Sequence, residues 1–296
     1  MSFIDLHCHS TASDGTLPPR EVLRLANNRG LTALALTDHD TIGGIADAAD
    51  EAAKLGIDFL PGIEISCEYA PGTMHILGYG VDPKSAVLTD MTEKLIEGRD
   101  NRNPKIIAKL QELGVAITMD EVEKQAAGGL PASAGNTKSV IGRPHIAAIL
   151  VRKGYVSSIK QAFNEYLAPG GKAYFDKERL SSKQALGMIL DSGGLPVLAH
   201  AFQLRCDNDS QLETVVKNLL DQGLAGIEVL HSDHDAAWVD KCNRLADRYQ
   251  LLKTGGSDFH GGNKHNIDLG LAAGRHIPRA FYDALVARLQ SGRKAG

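Results

Sequence analysis

Apolar residues along the chain fall into short β-type runs, and most of these lead into stretches with helical spacing. Phe3–Leu6 precedes a helix expected over Pro18–Asn28, and Ala33–Thr37 precedes one over Ile42–Leu55. Phe59–Ile65 and His75–Val81 read as two strands separated by "YAPGT", a turn-forming sequence that predicts a hairpin. Leu195–Ala199 leads to a helix at Gln211–Gln222, and Gly226–Leu230 to one at Ala236–Tyr249. Leu251–Thr254 follows, and a last helix is expected over Pro278–Gln290. Strands that mostly alternate with helices predict an α/β protein with a largely parallel sheet.

The middle of the chain breaks this rhythm. Between Arg99 and Glu178 the pattern gives helices only, over Lys105–Leu113, Met119–Ala127, Pro144–Lys153 and Ile159–Tyr166. The run "AAGGLPASAGNTKSVIGRP" is rich in Gly, Ala and Ser and reads as a mobile loop. The expectation is a barrel-type unit made of residues 1–98 and 179–296, interrupted by a helical insertion, or lid, over 99–178.

Composition narrows the function classes. The chain has 296 residues, 43% of them hydrophobic, enough for a large core. A formal net charge of -4 argues against binding long duplex nucleic acid through bulk charge. Cys8, Cys67, Cys206 and Cys242 lack CxxC spacing, which argues against a disulfide scaffold or a zinc ribbon. With no signal-peptide pattern and no apolar run of membrane-spanning length, the cytoplasm is the default expectation.

The unusual residues lie where the predicted strands end. His7 and His9 follow the first strand, in "IDLHCHSTASDG", and Asp14 lies in the next loop. His39 sits in "LTDHD", Glu64 at the end of the third strand, and His75 just across the hairpin. His200 closes "GLPVLAH", and Asp258 and His260 belong to "TGGSDFH". In closed α/β barrels the active site forms at the carboxyl ends of the strands, so residues distant in sequence converge there. Side chains alternate along a strand, which points His7 and His9 one way and Cys8 the other.

Taken singly, each of these has a plain structural role, as a turn former or helix cap. Together, six imidazoles and three carboxylates without a thiolate suit borderline divalent ions such as Mn, Fe or Zn, and not an all-oxygen Ca or Mg site. Nine ligands are too many for one tetrahedral ion, so two or three ions are expected, with Glu64 bridging. Three divalent ions against three carboxylates leave a positive centre able to attract phosphate. Such ions lower the pKa of bound water, and Glu64, His200 and Asp258 are the residues expected to hold the resulting hydroxide. No nucleophile elbow or P-loop is present.

Other residues are weaker candidates. Arg143 and His145 open a helix in the insertion, where a guanidinium and backbone donors suit phosphate. His231 and His234 follow a strand and are candidate substrate contacts or helix caps. Lys138, Arg179 and Arg205 are candidate phosphate contacts that read more simply as surface charges. Asp40 either orients His39 or caps the helix near Ile42. Trp238 reads as core, and His265 and His276 as structural.

The motifs "DLHCHS", "TDHD", "GIEIS" with "MHILGYG", "LAH" and "GSDFHG" resemble those of the PHP (polymerase and histidinol phosphatase) family of the amidohydrolase group. That resemblance implies a distorted (β/α)7 barrel with a trinuclear centre. It assigns His7, His9, Glu64 and Asp258 to one ion, Glu64, His75 and His200 to a second, and Asp14, His39 and His260 to a third. "IGRPHIAAIL" after the glycine-rich loop is similar to the members that act as nucleoside 3′,5′-bisphosphate phosphatases and short-RNA exonucleases. "LAHAFQLR" departs from a commoner "LAHP" run and bears on loop shape. The implied partner is a small nucleotide, or short RNA, with no membrane. Alternatives are a histidinol-phosphate or other small phosphomonoesterase, and a non-catalytic metal- or nucleotide-binding module.

Overall fold

The computed structural model describes residues 2–126, 140–176, 179–264 and 266–294. The glycine-rich run, apart from its two ends, lies outside these residues, as do Lys138 and His265.

The elements run β1 (Phe3–Asp5), α1 (Pro19–Asn28), β2 (Leu31–Leu36), α2 (Ile45–Leu55), β3 (Asp58–Cys67) and β4 (Met74–Tyr79). The middle of the chain contributes α3 (Ala86–Glu112), α4 (Met119–Ala126), α5 (Arg143–Arg152) and α6 (Ile159–Ala162), the last continuing as a π-helical turn. The chain then returns through α7 (Ser182–Asp191), β5 (Leu195–Leu198), α8 (Asp209–Leu220), β6 (Gly226–Leu230), α9 (Ala236–Tyr249) and β7 (Leu252–Gly255). A small hairpin, β8 (Leu271–Ala272) and β9 (Arg275–Pro278), and α10 (Arg279–Lys294) complete it.

The sheet order is β7-β6-β5-β4-β3-β2-β1-β9-β8. β1, β2 and β3 are parallel, as are β5, β6 and β7, while β4 runs antiparallel to both of its neighbours. The Leu6 amide donates to the Gly255 carbonyl, and the His9 amide to the Phe259 carbonyl, which brings β1 against the segment after β7. The sheet is therefore a nearly closed, distorted barrel. Because β4 is reversed, its first residues lie at the end where its neighbours finish. This puts His75 beside the strand ends that carry the other candidates.

Strand residues such as Ile4, Leu6, Ile63, Ile65, Ile76 and Leu77 are fully buried in the main core. A second cluster, including Ile106, Leu110, Ile146 and Leu150, lies wholly within the insertion. A third packs α1 and α2 against Cys8 and Leu34.

The β8–β9 hairpin was not expected, and two helices differ from the sequence reading. The helix expected over 105–113 is only the end of the 27-residue α3, which starts at the Ser85 N-cap and crosses residue 98 without a break. Its first half joins the main core through Leu88 and Leu95, and its last turns join the insertion core through Ile106, Ile107 and Leu110. Pro104 stands at the changeover. Helix α7, unforeseen, is set by a capping box between Ser181 and Gln184.

Candidate metal centre

The nine predicted ligands meet in one buried cluster at the strand ends. Glu64 is its hub. The register of β3 on β4 places Ser66 opposite His75, so Glu64, two residues earlier, shares their face. One carboxylate oxygen of Glu64 lies 2.7 Å from His75 Nδ1 and 2.8 Å from His200 Nε2. The other lies 3.0 Å from His39 Nδ1, 3.2 Å from His9 Nε2 and 3.3 Å from His7 Nε2. Asp258 Oδ1 is 3.2 Å from His9 Nε2, and its Oδ2 is 3.2 Å from His231 Nε2. Asp14 Oδ1 is 3.3 Å from His260 Nε2. As alternation requires, Cys8 points away, with its thiol donating to the Ala35 carbonyl.

Four sets of these groups come close enough to share an ion: His9, Asp14, His39 and His260; His7, Glu64 and His200; His7, His231 and Asp258; and His39, Glu64 and His75. They overlap the divisions implied by resemblance without coinciding. His9 groups with Asp14, His39 and His260, and His231 joins Asp258.

The donor set fits divalent ions on a structural test. His7 Nε2, both His9 nitrogens, His39 Nδ1, Glu64 Oε2, His200 Nδ1 and His231 Nε2 are buried without a hydrogen-bond partner. Buried polar atoms in a folded protein are nearly always satisfied. A dense group of lone pairs converging on one space is satisfied by cations.

The electrostatics agree. Burial pushes the Glu64 carboxyl up, but the imidazoles of His39, His75 and His7 outweigh it and hold it well below the usual carboxylate range. Burial alone lowers His9, yet Asp258 and Glu64 raise it to about 9. Burial dominates at His39, driven down to about 3, and at His200, driven down to about 4. Asp258 also pairs with Lys264. Asp40, His200 and Asp258 have φ of 56°, 21° and 57°, backbone strain of the kind that persists where the surroundings impose it.

Further residues support the cluster from outside. Glu228, fully buried in β6, lies 3.0 Å from His7 Nδ1 and accepts the His200 amide at 2.8 Å. Asp5 accepts the amides of His7, Ser257 and Gly270. Asp38 accepts from the Ser10 amide and from the Ser10 and Ser13 hydroxyls. The visible signal for Glu228 was a lone charge inside "GIEVL", a run otherwise apolar.

The remaining candidates have varied surroundings. Asp40 accepts the Ser66 amide at 2.9 Å and pairs with Arg99 of α3, tying the loop after β2 to the insertion. Arg143 donates to the Leu167 carbonyl at 2.8 Å and lies over the rings of Phe163 and Tyr174. His145 is buried, its Nδ1 accepting the Gly142 amide. His231 Nδ1 accepts the Asp233 amide, and His234 Nδ1 donates to the Val229 carbonyl. Arg179 pairs with Asp176, and Arg205 caps the turn after β5. His276 stacks on Phe3.

Sequence reasoning missed Arg99 and Arg102, both buried on α3. Arg102 bonds the Asn103 side-chain oxygen; burial and the guanidiniums of Arg99, Arg143 and Arg179 push it down to about 9. This corner is short of negative charge. Over the ligand cluster lies a cavity of about 220 Å³, lined by Asp14, His39, Glu64, Gln203 and Lys264, with Pro144, Ile159 and Phe163 from the insertion.

The PHP domain family model matches residues 5–227. The chain belongs to the PHP family. It is 36% identical to the 3′,5′-nucleoside bisphosphate phosphatase of Chromobacterium violaceum over 91% of both chains. It is 30% identical to a 5′-3′ exoribonuclease of Escherichia coli, over 86% of this chain and 84% of that one. A solved amidohydrolase from Chromobacterium violaceum, with bound sulfate and no metal, superposes with a TM-score of 0.84 at 35% identity, covering 97% of each chain. Among the described residues, no helix is long and apolar enough to cross a membrane.

Proposed function

We propose that this chain is a metal-dependent phosphoesterase that removes the 3′-phosphate of a nucleoside 3′,5′-bisphosphate and leaves the 5′-monophosphate. The observation that carries the reading is Glu64, one carboxylate with five imidazole nitrogens within 3.3 Å. A carboxylate so placed suits a bridge between ions. We assign His7, His9, Asp14, His39, Glu64, His75, His200, Asp258 and His260 as ligands of two or three ions, with Mn the first choice and Fe or Zn the others. His231 stands close enough to Asp258 to join them.

Bound divalent ions supply Lewis-acid charge and an activated water near neutral pH. The protein's own contribution is position and exclusion. Arg143, with Arg99, Arg102 and Arg179 around it, offers the charge that a second phosphate needs, and Arg forks suit its oxygens. Pro144, Ile159 and Phe163 cover the cavity from the insertion, which we assign as a lid over residues 99–178. The same arrangement suits short RNA, since trimming from the 5′ end also cleaves an ester at the 3′ oxygen; the relation to the E. coli exoribonuclease supports this second use.

A turnover panel tests the reading, with released phosphate measured for the monoesters and product nucleotides or ring-opened monoesters separated by chromatography for the diesters: adenosine 3′,5′-bisphosphate, AMP, histidinol phosphate, a cyclic phosphate diester and a 5′-phosphorylated RNA trimer, each with and without added Mn. The expected result is metal-dependent release from the bisphosphate, well above AMP. Turnover of histidinol phosphate alone would overturn the substrate, and no turnover of any ester would favour a binding module.

A further inference from the structure

The cavity over the ligand cluster measures about 220 Å³. Sites that enclose a small organic ligand usually measure ~300–1,000 Å³. A nucleotide held there by a phosphate therefore extends past the mouth, and its base comes to rest on the rim.

Among the described residues, Val87, Leu113, Tyr155, Leu190 and Phe202 are the large apolar side chains left exposed. Val87 opens α3, Leu190 lies near the end of α7, and Leu113 and Tyr155 belong to the insertion. Phe202 alone follows the carboxyl end of a barrel strand. It stands two residues after His200 and next to the cavity-lining Gln203, and it is 45% exposed.

Phe202 is also braced. Its ring meets Trp238 edge to face, with centroids 5.7 Å apart at 88°. Trp238 stacks on His234 at 6.0 Å and 22°, and the Lys241 ammonium lies 4.3 Å from the Trp238 ring centre. His234 lies 5.5 Å from His231, and His231 lies 5.2 Å from His200. His234 Nε2 is buried without a hydrogen-bond partner. An unbroken series of rings thus leads from the ligand cluster to an open phenyl surface over β5 and β6. The arginine-rich corner lies on α3 and the insertion, beside the loop after β2.

We propose that Phe202, buttressed by Trp238, is the stacking surface for the substrate's nucleobase. This rests on the nucleotide reading above and deepens it. Stacking on an aromatic ring is worth about 1–3 kcal/mol per base and accepts every base, because each has a π face. The expected consequence is affinity for nucleosides with little discrimination among bases. Phe163 is the competing ring in the cavity, but it packs in the insertion with Arg143 over it.

Trp238 is the chain's one tryptophan, so its emission reports on this ledge without any turnover. AMP is expected to change that emission saturably, ribose 5-phosphate is not, and Phe202→Ala is expected to remove the AMP response. In kinetics, the ratio of kcat/KM for adenosine 3′,5′-bisphosphate to that for abasic ribose 3,5-bisphosphate should fall about 5- to 150-fold in Phe202→Ala. Phe202→Trp should restore most of it. An unchanged ratio in Phe202→Ala overturns the proposal, and so does a fall produced by Phe163→Ala instead. If the unaltered enzyme hydrolyses neither bisphosphate, the catalytic reading fails, and the AMP titration alone decides the ledge.

Discussion

Replacing Glu228 by glutamine exchanges one oxygen for an amide nitrogen at a fully buried position. The carboxylate serves two groups, His7 Nδ1 at 3.0 Å and the backbone N–H of His200 at 2.8 Å. Glutamine has one acceptor oxygen and one donor NH2. The His200 amide is a fixed donor, so it claims the oxygen. The NH2 then faces His7 Nδ1, which must become an acceptor. The imidazole proton moves to Nε2, the nitrogen 3.3 Å from Glu64 and 3.6 Å from Asp258. That nitrogen can no longer ligate. Removing the carboxylate partner of a metal-bound imidazole typically costs about 10- to 100-fold in ion affinity, or roughly 1.4–2.7 kcal/mol. The assay equilibrates both proteins against buffered Mn at graded free concentrations and measures bound metal by elemental analysis. Circular dichroism checks that the fold persists. Binding curves that superimpose would refute the account of the His7 tautomer.

Three further outcomes follow from the same geometry. In the ion-free protein, His9 is raised from 6.5 to about 9, so its pairing with Asp258 and Glu64 stabilises fully below about 6.5 and is lost as pH climbs through 9. Chelated protein should therefore melt lower at pH 9 than at pH 6.5, while Mn affinity rises over that window as protons cease to compete; a flat pair of curves would contradict this. Arg143→Ala should raise KM for a 3′,5′-bisphosphate by about 10- to 150-fold, the worth of a charged hydrogen bond of roughly 1.5–3 kcal/mol, and raise that for a monophosphate far less. Equal effects would remove the second-phosphate role. Asp40→Asn leaves the buried Arg99 beside other guanidiniums without its carboxylate, which should cost ~3–5 kcal/mol in a denaturant titration. A loss under 1 kcal/mol would show that the pair is not structurally coupled.

The barrel strands and the positions of the clustered imidazoles and carboxylates were legible because both follow local rules. Apolar runs of strand length mark β2, β3 and β6, and imidazoles just past them stand out against turn chemistry. Helix α9 was readable at both ends, since Asp235 caps it and its apolar positions keep helical spacing. The first half of α3 was not, because charged and polar residues interrupt its apolar positions and Pro104 argues for an end. Tertiary packing on two cores overrides both signals. Nor could spacing reveal that His9 turns toward Asp14 and His260, or that His231 reaches Asp258. The approach of His9 to His260 depends on closure of β1 against the segment after β7, a contact spanning nearly the whole chain, and that of His231 to Asp258 on the pairing of β6 with β7. Arg99 and Arg102 precede the helix expected from Lys105, so the pattern gave no face on which to bury them, and only the longer α3 does so.

Helix α3 belongs to two cores at once, with a buried row of Arg99, Arg102 and Asn103 between them. A shared rod of this kind does not bend like a flexible tether. Excising the inserted segment would cut a helix through its middle and strip apolar cover from the barrel. Grafting it onto another scaffold would need a matching rod on the recipient. Substrate preference in this architecture is therefore retuned by changing side chains along the rod and its rim more readily than by exchanging the cover as a cassette.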